Sequence, residues 1–183
     1  MNLVPTLARV ARGIDAFSEA VGRAVAWLAV LLVLDTCAVV LLRYGVGQGS
    51  IALQEGMTYL HATLFMLAMA VTLKRGGHVR VDILYRRFSP RARALVDACG
   101  TAFLLLPLCA LILATSWPYV AASWAIREAS TEAGGLPYVW LLKGLLIAMP
   151  ALLALQGIAE LLKNLLFLAG AGGSPSAEKV EPL

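Results

Sequence analysis

The chain has 183 residues, of which 60% are hydrophobic and only 14% charged, and its mean hydropathy is +0.81. That rules out a disordered polypeptide and argues against an ordinary soluble domain, which carries about a quarter charged residues; an integral membrane protein is expected. The 15 basic residues outnumber the 11 acidic ones, but no basic stripe alternates with aromatics, so the excess reads as a topology signal and not as a nucleic-acid footprint.

In residues 3–23 the apolar positions Leu3, Leu7, Val10, Ile14, Phe17 and Val21 recur at alternating spacings of four and three, with Arg9, Arg12, Asp15, Glu19 and Arg23 between them. This pattern predicts an amphipathic helix. It either rests in the membrane interface or extends the first spanning helix into the cytoplasm. The apolar run that follows begins too late and runs too long for a secretory signal peptide and is expected to stay as a membrane helix.

Four stretches, 24–42, 57–73, 95–122 and 139–168, are apolar enough to cross a hydrocarbon core that takes about 20 helical residues. The last two are over-long and should tilt, bend or protrude. Pro107, Pro118 and Pro150 each remove a helix hydrogen bond and predict kinks. Lys74 and Arg75 ahead of Gly76 and Gly77 mark a helix C-terminus, while Ser89 and Pro90 supply an N-cap and a first-position proline. The expected fold is therefore an all-α integral membrane protein: an amphipathic helix over 1–23, a four-helix membrane domain over 24–168 and a disordered tail over 169–183. No internal repeat is visible, unlike the inverted halves of many complete transporters.

Loop charge sets the expected orientation. One side gathers twelve basic residues, Arg9, Arg12, Arg23, Lys74, Arg75, Arg80, Arg86, Arg87, Arg91, Arg93, Lys163 and Lys179, and the other only Arg43, Arg127 and Lys143. Both termini and the central loop are thus expected in the cytoplasm, with two loops, about 44–56 and 123–138, outside.

Few residues offer chemistry. Asp35 lies midway along the first span, where a carboxylate costs about 2.5 to 3.5 kcal/mol; it is either a proton or cation site or an acid bonded to polar groups of a neighbouring helix. Arg43 and Tyr44 close the first helix and Glu55 opens the second, so an ion pair between Arg43 and Glu55 is expected across the short loop, as architecture or as a clamp for a carboxylate substrate. His61 invites a haem reading, but the other histidine, His78, lies beyond the helix-ending glycines, and a histidine hydrogen-bonded between helices fits better. Cys37, Cys99 and Cys109 form no close pair and indicate neither disulfide nor metal. No nucleophile elbow, zinc helix or phosphate loop is present, so no enzyme, cofactor or metal site is expected.

Two segments are patterned. In GGHVRVDILYRRFSPRARALVD, Val79, Val81 and Ile83 alternate with His78, Arg80 and Asp82, a segment suited to a membrane surface or partner, with lipid phosphates as countercharge. In REASTEAGGLP, Glu128, Ser130 and Glu132 precede Gly134, Gly135 and Pro137, which is either a capped connection or an acidic docking patch for a protein on that face.

With these residues on the page, the sequence resembles the small membrane subunit of tripartite ATP-independent periplasmic (TRAP) transporters, the DctQ-like family. The resemblance rests on Arg43 and Tyr44, on Glu55, on LKRGGHVRVDILYRRFSP and on ExSxExGGLP, and covers about residues 24–165. Many members carry a tryptophan and paired acids near the start of the second helix; ALQEGM here has one acid and no tryptophan, which suggests a subgroup. The resemblance implies a bacterial inner-membrane scaffold without transport activity of its own. It would work with a large DctM-like permease subunit and a periplasmic DctP-like substrate-binding protein in sodium-driven uptake of organic acids. The competing class is a haem- or quinone-binding anchor of a membrane oxidoreductase.

Overall fold

The computed structural model describes residues 3–78, 85 and 87–173. Among them every regular element is helical. Helix α1 spans Leu3–Leu41 and continues through a π-helical turn, Leu42–Val46; α2 spans Ile51–Lys74, α3 Pro90–Ile126 and α4 Val139–Leu168. All four are long and apolar enough to cross a membrane.

No break separates residues 3–23 from the apolar run that follows, so this segment is continuous with the first spanning helix. Small residues, and not the large apolar ones, form its packed face. Val10 and Phe17 are 47% and 48% exposed, whereas Ala11, Ser18 and Val25, spaced by two turns, are buried. The same inversion holds elsewhere: Ala70, Ala94, Ala98 and Ala159 are buried, while Phe103, Leu104 and Trp27 are more than 70% exposed. Where lipid solvates large apolar side chains as well as a protein interior does, close helix approach selects small residues for the inside.

Helix ends follow local chemistry. Ser50 caps α2 by accepting the Leu53 N–H at 3.4 Å, so the helix starts at Ile51, about one turn ahead of the Glu55 expected to open it, which places Glu55 in its second turn. At the other end Gly76 sits at φ +68, with its N–H on the Leu73 carbonyl and the Gly77 N–H on that of Thr72. This is a Schellman motif, and a left-handed residue there favours glycine. Ser89 accepts the Ala92 N–H at 3.3 Å and Pro90 takes the first position of α3, as expected. Inside α3 a π-helical turn, Thr101–Leu105, lies just ahead of Pro107. The proline ring crowds the preceding turn and lacks an N–H, and the widened turn absorbs both. The helix continues through Pro118, as α4 does through Pro150. Helix α4 has the expected bounds and ends at Gly170, φ +74, in the same motif as α2.

The contacts divide the chain into two compact units: Met1–Ala20, Ala70–Leu111 and Ala151–Leu183 form the first, and Val21–Met69 and Ile112–Pro150 the second.

Candidate functional site

In the second unit Glu55 holds the connection between α3 and α4. Its Oε2 accepts the Leu136 N–H at 2.6 Å, and its Oε1 accepts the Ser130 hydroxyl. The same hydroxyl accepts the Glu132 N–H, and the Ser130 N–H bonds back to the Leu136 carbonyl, both at 3.1 Å. Glycine is required at 135, because a Cβ there would lie 2.6 Å from that of Ser130 and 2.8 Å from Glu55 Oε1. Gly134 turns the chain at φ +82. The GGLP motif thus lets the backbone close around one carboxylate.

A second fastening lies beside it. Lys143 of α4 pairs with Glu128, and its ammonium sits 4.2 Å from the centre of the Tyr119 ring. The ammonium holds the Glu128 carboxyl below its ordinary value of 4.5. Arg127 ends α3 in the left-handed region, φ 48, with its N–H on the Trp124 carbonyl and the Glu128 N–H on that of Ser123. That is a Schellman turn with arginine where glycine is usual, at a cost of about 1–2 kcal/mol. The guanidinium lies 5.4 Å over the Trp140 ring, which at an exposed site returns about 0.5–1 kcal/mol.

Of the docking candidates, Ser130 and Gly135 are therefore consumed inside the loop and Glu128 is neutralised by Lys143; Glu132, Gly134 and Pro137 remain exposed. The expected ion pair between Arg43 and Glu55 is corrected: the carboxylate is taken by Ser130 and Leu136, while Arg43 and Tyr44 are exposed on the π-helical turn. His61 is likewise exposed and stacks on Phe65 with centroids 6.4 Å apart, where a place between helices was expected. Asp35 rests against Gly56 of α2, where a Cβ would lie 3.4 Å from Oδ2; that oxygen is buried without a hydrogen-bond partner among the described residues.

In the first unit the structure adds residues that the sequence reading placed on a polar face or passed over. Lys163 of α4 lies 3.2 Å from both oxygens of Asp15 and also pairs with Glu160. Gln156 donates to Asp15 at 2.8 Å and to Glu160 at 3.2 Å, and Asn164 donates to the Glu160 carbonyl at 2.9 Å. Gln156, Glu160 and Asn164 are all buried. Glu19 pairs with Lys74, at 3.0 Å, and with Arg75. The buried polar groups thus extend well beyond Asp35. Gln156, Glu160, Lys163 and Asn164 recur at helical spacing on one side of a leucine-rich helix, and that repeat was the available signal.

His78 is exposed and lines a cavity of about 410 Å³ together with Tyr85, whose hydroxyl donates to Asp97 at 2.8 Å. Arg80 and Asp82 lie outside the described residues. Among the described residues no group of three His, Cys, Asp or Glu side chains could hold a metal ion.

Four apolar helices with an inside-out distribution of large and small residues, and a polar loop stapled by carboxylates, define a multi-helix membrane protein. The chain belongs to the family described as tripartite ATP-independent periplasmic transporters, DctQ component, which matches residues 32–167. It is the small permease subunit of such a transporter and not an enzyme. No curated protein and no solved structure matches the chain.

Proposed function

We propose that this subunit braces a large DctM-like permease subunit and helps receive a periplasmic DctP-like binding protein, in sodium-coupled uptake of organic acids across a bacterial inner membrane. The observation that carries this reading is the family match over residues 32–167, which encloses the stapled 127–138 segment. A loop held by Glu55 and Lys143 offers a preformed surface, so little ordering entropy is lost when a protein docks on it. Glu132, Gly134 and Pro137 are its exposed positions for that contact. The polar groups in the first unit bond mainly to one another, which suits a brace better than a path for an anion.

The test is reconstitution in liposomes under an inward sodium gradient. The chain alone and the chain with the large subunit should accumulate no organic acid; addition of the binding protein should start uptake. Gradient-driven accumulation by this chain alone would defeat the scaffold reading.

Orientation has its own measurement. The charge asymmetry supports a cytoplasmic position for both termini. Single cysteines at Gly49 and Gly134, in a cysteine-free background, should react with an impermeant thiol reagent on intact cells, and cysteines at Gly77 and Ser176 should not. Labelling of the second pair in sealed cells reverses the topology.

A further inference from the structure

Within the second unit, α3 and α4 border a groove of about 390 Å³ lined by Trp117, Val120 and Trp124 on one side and Gly144, Ile147 and Ala148 on the other. Its walls are almost wholly apolar. Gly144 keeps it open, since even a Cβ there would lie 3.3 Å from the Trp124 ring. Trp124 meets Trp140 edge-on at 4.9 Å, and Trp140 carries the Arg127 guanidinium at 5.4 Å. One chain of contacts therefore leads from the groove to a cation.

That cation is the uncompensated one at this corner: Lys143 is neutralised by Glu128, whereas Arg127 makes no ion pair among the described residues. Its left-handed backbone is one that glycine would adopt without steric penalty, and the ring contact returns less than the conformation costs. An arginine held there needs a further use for its side chain.

We propose that this corner is a phospholipid site, in which the groove takes one acyl chain and the Arg127 guanidinium takes the phosphate. Charge complementarity selects the occupant. A guanidinium presents a planar fork of donors matched to phosphate oxygens, and it stands among tryptophans, the residues enriched at the level of lipid headgroups. A mostly apolar cleft with one orienting polar group is the usual form of a small-molecule site. The inference rests on the membrane reading alone and is independent of the transport proposal.

Three of the four tryptophans, Trp117, Trp124 and Trp140, lie in or beside the groove, so their fluorescence reports occupancy. Delipidated full-length chain in detergent is titrated with phosphatidylglycerol carrying brominated acyl chains, and with brominated diacylglycerol as the probe without phosphate. The phospholipid should quench saturably and the diacylglycerol at least about tenfold more weakly, as loss of one charge-assisted contact implies. Arg127→Gly should abolish that difference while the unfolding temperature stays level or rises, because glycine relieves the turn; a purely structural arginine would not separate the two readouts. Gly144→Leu, which fills the groove, should remove saturable quenching, and Arg43→Ala should leave it unchanged. Equal phospholipid binding by wild type and Arg127→Gly, or equal binding of the two probes by wild type, overturns the proposal. So does a Gly144→Leu chain that still binds lipid but no longer copurifies with a second membrane subunit, since the groove would then be a protein seat.

Discussion

Replacing Glu55 with alanine should release the 127–138 segment from α2. Amide exchange at Leu136 and Glu132 is expected to accelerate about tenfold or more, since hydrogen bonds to a charged acceptor are the stronger kind and local opening controls exchange at such loops. The Leu136 N–H would lose its acceptor, and Ser130, which also receives the Glu132 N–H, would lose the carboxylate that orients it. Glu55→Gln should be intermediate, because an amide oxygen can still accept from Leu136 and the amide NH2 can donate to Ser130. Gly135→Ala should resemble Glu55→Ala, as its methyl group would occupy space held by Ser130 and Glu55. Arg43→Ala should leave exchange in the loop unchanged. In the assembled transporter, uptake should fall in the order of loop release. Loop release without any loss of uptake would show that the segment is not where the binding protein docks.

The second large effect is expected at Lys163. Its removal takes the Lys163 ammonium away from the carboxylates of Asp15 and Glu160, whose side chains are only 18% and 4% exposed. Breaking a buried ion pair from one side costs about 3–5 kcal/mol, because the remaining charge stays desolvated. Lys163→Ala should therefore accumulate poorly in membranes and unfold at a markedly lower temperature in detergent. Lys163→Arg should be milder. The triple variant Asp15→Asn, Glu160→Gln, Lys163→Met should recover most of the loss, since a neutral cluster of similar volume no longer needs the cation. Failure of the triple variant to recover would mean that the ion pairs contribute positively to stability and do not merely cancel their own desolvation.

The apolar excess, the four spans, their caps and the proline sites were legible in the residues themselves. Each rests on interactions that close within a few positions: a helix-breaking proline, a serine accepting an N–H three residues on, or a glycine able to take positive φ. The loop motif ExSxExGGLP was visible as a pattern too, although whether its acids cap the connection or form a docking patch stayed open. What the residues could not specify was partnership. Glu55 stands close in sequence to Arg43 yet bonds to Ser130 and Leu136, far along the chain, because helix packing and not sequence distance brings groups together. The apolar stripe of α1 likewise did not say which face would pack inward. In water the large apolar side chains mark the inside; in lipid they lose that meaning, and the inside is set by small residues and by polar groups that must find one another. Hence Ala11 and Ser18 face inward with Asp15 and Glu19, whose charges meet Lys163, Lys74 and Arg75. Sequence alone determined that this chain is a set of membrane helices with known ends, because hydropathy and capping are local; only the tertiary structure decided which faces meet and which carboxylate holds which loop, because those depend on packing between distant segments.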